Sequence, residues 1–507
     1  MSADTARRAQ GNQAATLLRI PPYLVFSGAA LLSLASVHGR WDVPLAAWLA
    51  PVFLLRVTRT SRVSIGALSA GLIGGVSALW WVLQMAIPLS ALVIGGAVGI
   101  GVASAVPYVV DRLLMGRLGM LGALFVFPAT ATAMQYLVAT INPFGAAYGV
   151  TAVTQHGATS LLQLIAITGP FGITFVVMTA STVANMVWSA GRITVPNMQI
   201  VGAYLAVLAV IVSAGSVRLT AFLPAGPTVR VAGINPGKQA SQPLISLFDS
   251  LTPKADRVPQ LDPRKVDAAF ASVNDDLFVR TRQAAQQGAR IVVWSEQAAN
   301  VRQSDLAPFL ARASMLARET QIYLQVAVFV YLPTAPFVRN QTLLFGPEGG
   351  QLWQYDKSRP IPGLESYPPG PGHVPTVDTP YGRLATITCF DGDFVDLARV
   401  DADILLLPVR DWPEIASVHR ENAQLRAVEN GYSIVRPAEF GINGGFDYQG
   451  RSLAYQNWST VDDPTVIFDV PTNGSRTPFR KFGQWFAWLS IALSLGFAAV
   501  GIQRRRR

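Results

Sequence analysis

The sequence predicts an α-helical transmembrane bundle of about eight helices joined to an α/β domain. Three observations carry this. Of 507 residues, 51% are hydrophobic and only 14% are charged. Mean hydropathy is +0.35, whereas soluble chains carry about a quarter charged residues, so part of this chain belongs in lipid. Long apolar stretches dominate the first half and return once near the end. Between them, short β-type runs alternate with helical periodicity.

The apolar stretches fall near 20–37, 43–57, 63–86, 89–110, 118–140, 161–190, 199–217 and 482–502. Most can cross a hydrocarbon core of about 30 Å at about 1.5 Å per residue; the second is short. Small residues crowd runs 66–75 and 95–101, which lets helix backbones approach closely. Charge sets the orientation. Arg7, Arg8 and Arg19 precede the first span, and Arg56, Arg59 and Arg62 follow the second. Arg112 and Arg117, then Arg192, then Arg504 to Arg507 mark further turns on the same side. The alternate loops hold Arg40 alone, although Arg218, Arg480 and Lys481 break the pattern. Both termini are expected in the cytoplasm and the polar segment outside it. Residues 1–219 form the bundle in this division, 220–478 the extracytoplasmic domain, and 479–507 the last helix with a basic tail. The alternative for the first run is a cleaved signal peptide ending near Leu34-Ala-Ser36. Its long polar leader and the charge alternation favour a retained span.

Composition also narrows the function. A formal charge of +10 reads as arginine flanking membrane spans rather than a nucleic-acid surface, because no basic stripe with interleaved aromatics appears. The single cysteine, Cys389, excludes an intramolecular disulfide. Four scattered histidines, His38, His156, His373 and His419, form no HExxH motif, so no metal and no cofactor are expected. The apolar half shows none of the buried charges that coupling sites use, which argues against a transporter.

In the polar segment, 229–235, 291–296, 322–331, 341–345, 352–355, 383–389, 404–407 and 432–436 read as strands. Residues 262–288, 306–320 and 415–430 read as helices, the first with Val266, Phe270, Val273 and Leu277 at helical spacing. Proline-rich 236–261 reads as an exposed excursion or lid. Three residues with chemistry sit at strand ends or in the turns just after them: Glu296, Lys357 and Cys389. Sheet edges are where reacting groups of α/β domains converge. A thiol reacts as its thiolate. A carboxylate can take its proton, and an ammonium can stabilise an oxyanion.

The order Glu296, Lys357, Cys389 resembles the Glu–Lys–Cys triad of the nitrilase, or carbon–nitrogen hydrolase, superfamily. Tyr355-Asp-Lys357 followed by Pro362-Gly-Leu-Glu365-Ser-Tyr-Pro368 is similar to its lysine segment and second glutamate. Such a domain placed before the last helix of a polytopic protein resembles the apolipoprotein N-acyltransferase family. Asn142-Pro-Phe-Gly145 resembles that family's aromatic loop before span six, and Gln424-Leu-Arg426-Ala-Val-Glu429-Asn-Gly431 its helix near the active site, with Arg436 beyond. The chain departs from the pattern at Cys389-Phe390-Asp391, Gly363-Leu364-Glu365, Glu439-Phe440-Gly441 and around Gln135-Tyr136.

The resemblance implies an αββα sandwich for the domain and a multi-pass protein of the bacterial cytoplasmic (inner) membrane. It implies a phospholipid acyl donor, a diacylated lipoprotein acceptor and a cysteine thioester between them. Glu365, Tyr367, Phe390, Asp391, Trp412, Glu429 and Arg436 become supporting or substrate-binding candidates. Phe446, Trp458, Trp485 and Trp488 are candidates to line or anchor the approach from the membrane. Competing readings are a membrane-bound amidase or nitrilase-type hydrolase, an acyltransferase with another amine acceptor, and a transporter or scaffold with an inactive domain.

Overall fold

The computed structural model describes residues 20–147, 149–191, 194–224, 226–248 and 255–506. Arg7, Arg8, Arg19, Arg192 and Arg507 of the charge alternation, Tyr148 of the aromatic loop and 249–254 of the proline-rich stretch lie outside the described residues. The chain divides into two compact units, Met1–Ala221 with Phe482–Arg507, and Phe222–Lys481.

The first unit is helical. Its long elements are Pro22–Ala35, Pro44–Thr60, Val63–Gln84, Ala91–Leu114, Gly119–Ile141, Pro170–Ala190, Val195–Ala221 and Trp485–Arg506. Among the described residues, the last six are long and apolar enough to cross a membrane. The protein is a membrane protein. Pro22–Ala35 is shorter, with 14 residues, and Pro44–Thr60 has 17 and carries Arg56 and Arg59. The expected span at 161–190 is corrected: a helix runs only from Pro170. Gly169, at φ 66°, ends a short helical piece, and Pro170 occupies the first turn of the next helix, where its missing N–H costs nothing.

Small residues act as expected. A Cβ on Gly101 would lie 2.6 Å from Gly71 O and 3.2 Å from Gly75 N, so helices Val63–Gln84 and Ala91–Leu114 meet backbone to backbone. The expectation of no buried charge is also corrected. Asp111 is fully buried and takes two hydrogen bonds of 2.8 Å from Arg59, which also donates to Ala123 O at 3.2 Å. The fork ties three helices together, and each charge is tolerated only because the other is there.

The second unit holds strands β1 (Thr228–Ile234), β2 (Ile291–Trp294), β3 (Ala299–Arg302), β4 (Tyr323–Tyr331), β5 (Val338–Phe345), β6 (Gln351–Asp356), β7 (Thr376–Thr379) and β8 (Gly382–Thr386). They are followed by β9 (Ile404–Leu406), β10 (Val409–Arg410), β11 (Ser433–Arg436), β12 (Ala438–Glu439), β13 (Ile442–Phe446), β14 (Ser452–Asn457) and β15 (Val466–Pro471). One sheet runs β15-β1-β2-β4-β5-β6, with β3 beside β4. A second runs β14-β13-β11-β9-β8-β7, and β10 pairs with β12 in a small third. Pairings β1–β2, β2–β4, β8–β9 and β9–β11 are parallel.

The period of two in the strands builds the layers. Val229, Val231, Ile291 and Val293 point between the sheets and meet Leu384, Ile404 and Leu406. Their neighbours Ala232, Ile234, Val292 and Trp294 point the other way, onto Val266 and Phe270 of helix Pro263–Gln286. β2 is buried on both faces and reads as a continuous apolar run, whereas β1 is so only beyond the exposed Arg230. Each large side chain so buried contributes about 1.5–3 kcal/mol. Helix Ala416–Asn430 packs against β11 and β13 of the second sheet. The result is an αββα sandwich.

The proline-rich stretch is a correction. Lys238–Phe248 is a helix, and its Leu244 and Phe248 are buried in the core with Val258. It packs beside helix Pro263–Gln286 through Leu244 and Phe248, four residues apart on its buried face. The strands after Arg436 were also not anticipated. In Ile442-Asn-Gly-Gly-Phe446 the glycines erase the alternation. Gly445 is needed there, since a Cβ would lie 2.7 Å from the Phe468 ring.

Candidate active site

The candidate groups stand just beyond strand ends rather than on them. β2 stops at Trp294, two residues before Glu296, and Lys357 directly follows β6. The expected strand to Cys389 is shortened: β8 stops at Thr386, and Cys389 opens a 3-10 turn, Cys389–Asp393. Thr388 is still extended, and the Cys389 φ of 50° turns the chain, because the left-handed region cannot continue it as a strand. Gln297, next to Glu296, has φ 57°, and Phe440, next to Glu439, has φ 59°. Such residues cost of order 1–3 kcal/mol each and persist where the surroundings fix them. At Cys389 the fixing is visible. Thr388 and Asp391 form a reciprocal capping box, and Cys389 N donates to Pro408 O at 2.9 Å.

Glu296 and Lys357 are in direct contact. Lys357 Nζ donates to Glu296 Oε1 at 2.8 Å and to both oxygens of Glu365 at 2.9 Å. Asn340 Nδ2 donates to Glu296 Oε1 at 2.7 Å and to Tyr367 Oη at 3.0 Å. Arg410 N donates to Glu296 Oε2 at 3.1 Å. Glu365 Oε2 also accepts from Ile361 N at 2.7 Å, which folds the chain after Lys357 back over it. Burial works against the Lys357 ammonium, but Glu296 and Glu365 outweigh it and hold its pKa well above the ordinary lysine value. Burial likewise pushes the Tyr367 phenol up.

Cys389 is 6% exposed, and its Sγ lies 3.7 Å from Arg410 O. Among the described residues no hydrogen bond joins Sγ to Glu296; the Arg410 backbone touches both, with its N–H on the carboxylate and its C=O on the thiol. Burial and the Glu296 charge push the thiol up to about 12, while Lys357 and His419 oppose them. The thiol is therefore protonated at rest, and a base beside it has a proton to take.

His419 was set aside in the sequence among scattered histidines, and the fold brings it to the cysteine. Its Nδ1 lies 2.8 Å from Asp411 Oδ1 and its Nε2 lies 3.3 Å from Asp393 Oδ2. Asp411 Oδ2 accepts from Arg436 Nη2 at 2.7 Å, and Asp393 Oδ1 from Asn422 Nδ2 at 2.7 Å. Cys389, Asp411 and His419 offer ligand atoms within 4.8 Å of one another, the one trio among the described residues with metal-ligand types so close. Both imidazole nitrogens face carboxylates, so neither lone pair is open to a cation. Asn340, Arg410, Asp393 and Asp411 were also missed; a segment from Asp393 to His419 with an N-x-x-x-R helix offered no motif that separates it from ordinary polar surface.

The supporting candidates divide. Asp391 is fully buried and accepts from Tyr355 Oη at 2.7 Å, Arg359 N at 2.7 Å and Thr388 N at 3.1 Å. It fastens the cysteine turn to the lysine segment. Burial pushes it up to about 6 despite those donors. Phe390 is buried and packs edge-on to Phe394 at 5.2 Å. Half-buried Trp412 stacks edge-on to His419 at 6.4 Å. Glu429 pairs with Arg426 on its own helix, and Arg426 Nε donates to Gly392 O at 3.0 Å, behind the cysteine turn. Arg436 is buried and bonds Ile442 O at 2.6 Å besides Asp411. Of the approach residues, Phe446 is buried beneath Arg420, and Trp458 packs on Phe440 at 4.5 Å. In the helical unit, Trp485 donates to Ile167 O and Trp488 packs on Tyr136.

Residues 260–461 match the family described as carbon-nitrogen hydrolase, and residues 28–183 match the apolipoprotein N-acyltransferase N-terminal domain. An apolipoprotein N-acyltransferase of Geobacter metallireducens is 24% identical over 272 residues, 48% of this chain and 52% of that protein. One of Photobacterium profundum is 25% identical over 253 residues, 43% and 48% of the two chains. A deaminated glutathione amidase of Yersinia enterocolitica is 25% identical over 195 residues, 34% of this chain and 68% of that protein. The chain spans about half the length of these two N-acyltransferases. With an N-terminal membrane domain and a carbon–nitrogen hydrolase domain matched in this order, the chain belongs to the apolipoprotein N-acyltransferase family.

Proposed function

We propose that the protein moves an acyl chain from a phospholipid, through a Cys389 thioester, to the α-amine of an N-terminal diacylglyceryl-cysteine. The observation that carries this reading is the buried grouping of Glu296, Lys357 and Cys389 in a chain that also has a membrane bundle. In the first half-reaction Glu296 takes the thiol proton and Sγ attacks the ester carbonyl. Lys357 faces the developing oxyanion. The C–O bond breaks, and the leaving lysophospholipid oxygen takes the proton from Glu296. In the second, the acceptor amine attacks the thioester and gives its proton to Glu296. The C–S bond breaks, and the thiolate is reprotonated. Glu365 orients Lys357 throughout. Sγ and Glu296 must come within hydrogen-bond reach as substrate enters, since proton transfer needs it.

Both substrates carry acyl chains, each worth about 0.8 kcal/mol per buried CH₂ in lipid, so a membrane enzyme suits them. In this reading the domain spanning 220–478 lies on the extracytoplasmic face of the bacterial inner membrane, with 1–219 and 479–507 anchoring it. Protein incubated with phospholipid alone should gain an acyl mass on Cys389 that Cys389→Ser lacks. Folded protein that gains none overturns the thioester route. The similarity to an amidase favours a second reading, transfer of the acyl group to water. Free fatty acid in place of N-acylated peptide as product would select it.

A further inference from the structure

The buried cluster behind Cys389 carries more charge than a packing role needs. Asp411, on the turn after β10, and Asp393, in the cysteine turn, flank His419 from opposite ends of its ring at 2.8 and 3.3 Å. An imidazole with a carboxylate oxygen on each nitrogen must donate from both, and only the imidazolium does so. Charge balance agrees. Arg436 from β11 offsets one of the two carboxylates at 2.7 Å, and the cluster reaches neutrality only with His419 positive. Arg426 on the same helix is already matched by Glu429. Burial works against the charged ring, but Asp393 and Asp411 outweigh it and hold it well above the ordinary histidine range.

We infer that His419 is a permanently charged positioning residue whose imidazolium, held between Asp411 and Asp393, makes the Cys389 thiolate accessible. It is not a base, because it has no free lone pair. With Lys357 it is one of two cations that favour the thiolate against Glu296, and it offsets the Asp411 carboxylate, an oxygen of which lies within 4.8 Å of Sγ. The arrangement concerns the thiol itself, whatever the acyl donor and acceptor, so its failure and that of the N-acyltransferase reading are distinguishable.

One cysteine in the chain makes the test direct. The full-length protein in detergent is labelled with iodoacetamide from pH 7 to 9.5, and uptake is followed by intact mass. Below its midpoint a thiol reacts in proportion to its thiolate fraction, so loss of a cation this close lowers the rate at least about tenfold. His419→Gln is expected to show that fall at every pH, with an unchanged slope of log rate against pH. A histidine acting as base would instead add its own step to the wild-type profile. His419→Gln leaves a surplus buried carboxylate. A second variant, His419→Gln/Asp393→Asn, restores neutrality and keeps an acceptor for Asn422; it should be faster than the single variant and still slower than wild type. Wild-type rates in either folded variant overturn the inference, as does wild-type protein that takes up no label across the range.

Discussion

Lys357 Nζ lies 2.8 Å from Glu296 Oε1, and both side chains are all but shut off from water. A buried pair of this kind is weak evidence for stability but strong evidence for interdependence, because removing one partner strands the other.

Lys357→Met should therefore cost about 3–5 kcal/mol, since Glu296 and Glu365 are left facing each other in the protein interior. Thermal unfolding in detergent reads this. Glu296→Gln keeps the shape and an oxygen for Lys357, so its stability loss should be much smaller. Its rate should still fall about 10²–10⁴-fold, the usual worth of a positioned general base. Equal stability losses for the two variants would contradict this assignment of roles.

Asp391 gives a pH prediction. Its folded pKa, about 6, lies above the ordinary carboxyl value of 3.8, because burial outweighs its donors. A raised pKa means the contribution is fully present below about 4 and is lost as pH rises through about 6. The shift corresponds to about 3 kcal/mol. Denaturation midpoints measured at pH 4, 5, 6 and 7 should lose this component in Asp391→Asn. The wild-type minus variant difference should become steadily less favourable to wild type across that window. A flat difference would mean Asp391 is not buried as an acid.

In the helical unit, Arg59 and Asp111 form the corresponding pair. Arg59→Met or Asp111→Leu alone should destabilise by about 3–5 kcal/mol. The double variant should be milder than either single one or than their sum. A double-mutant cycle on detergent-solubilised protein measures the coupling, and simple additivity would refute it.

Trp294 connects core to site. It is fully buried, donates to Thr281 Oγ1 at 2.9 Å and packs edge-on to Phe278 at 5.4 Å, two residues before Glu296. Trp294→Ala should cost about 3–5 kcal/mol through the cavity it leaves. Activity per folded molecule should fall too, because the turn that aims Glu296 loses its anchor. Retained specific activity would show the turn to be fixed from elsewhere.

Much of this protein was legible in one dimension. Apolar runs long enough for lipid, and β2 with its unbroken hydrophobic sequence, follow from local composition, which any solvent-separated fold must respect. The same holds for helix Pro263–Gln286, whose spacing repeats with the turn. Glu296, Lys357 and Cys389 stood out for residue type and order. What escaped the reading depends on neighbours far along the chain. Leu244 and Phe248 of helix Lys238–Phe248 are buried in a core built by distant elements, and Gly445 of β13 lies where a Cβ would strike Ile434 O and the Phe468 ring.

The departure at Phe390-Asp391 changes meaning in the same way. From the sequence both residues are supporting or substrate-binding candidates; in the fold Asp391 binds Tyr355, Arg359 and Thr388, and holds the cysteine turn. The sequence by itself determined the membrane bundle, the α/β character of the domain and the three residues most able to react, because hydrophobicity and functional groups are properties of each residue alone. The company Cys389 keeps comes from long-range packing. His419, Asp411, Asp393 and Arg410 reach it from separate elements, and the electrostatics of a buried thiol are set by distances that no local pattern encodes.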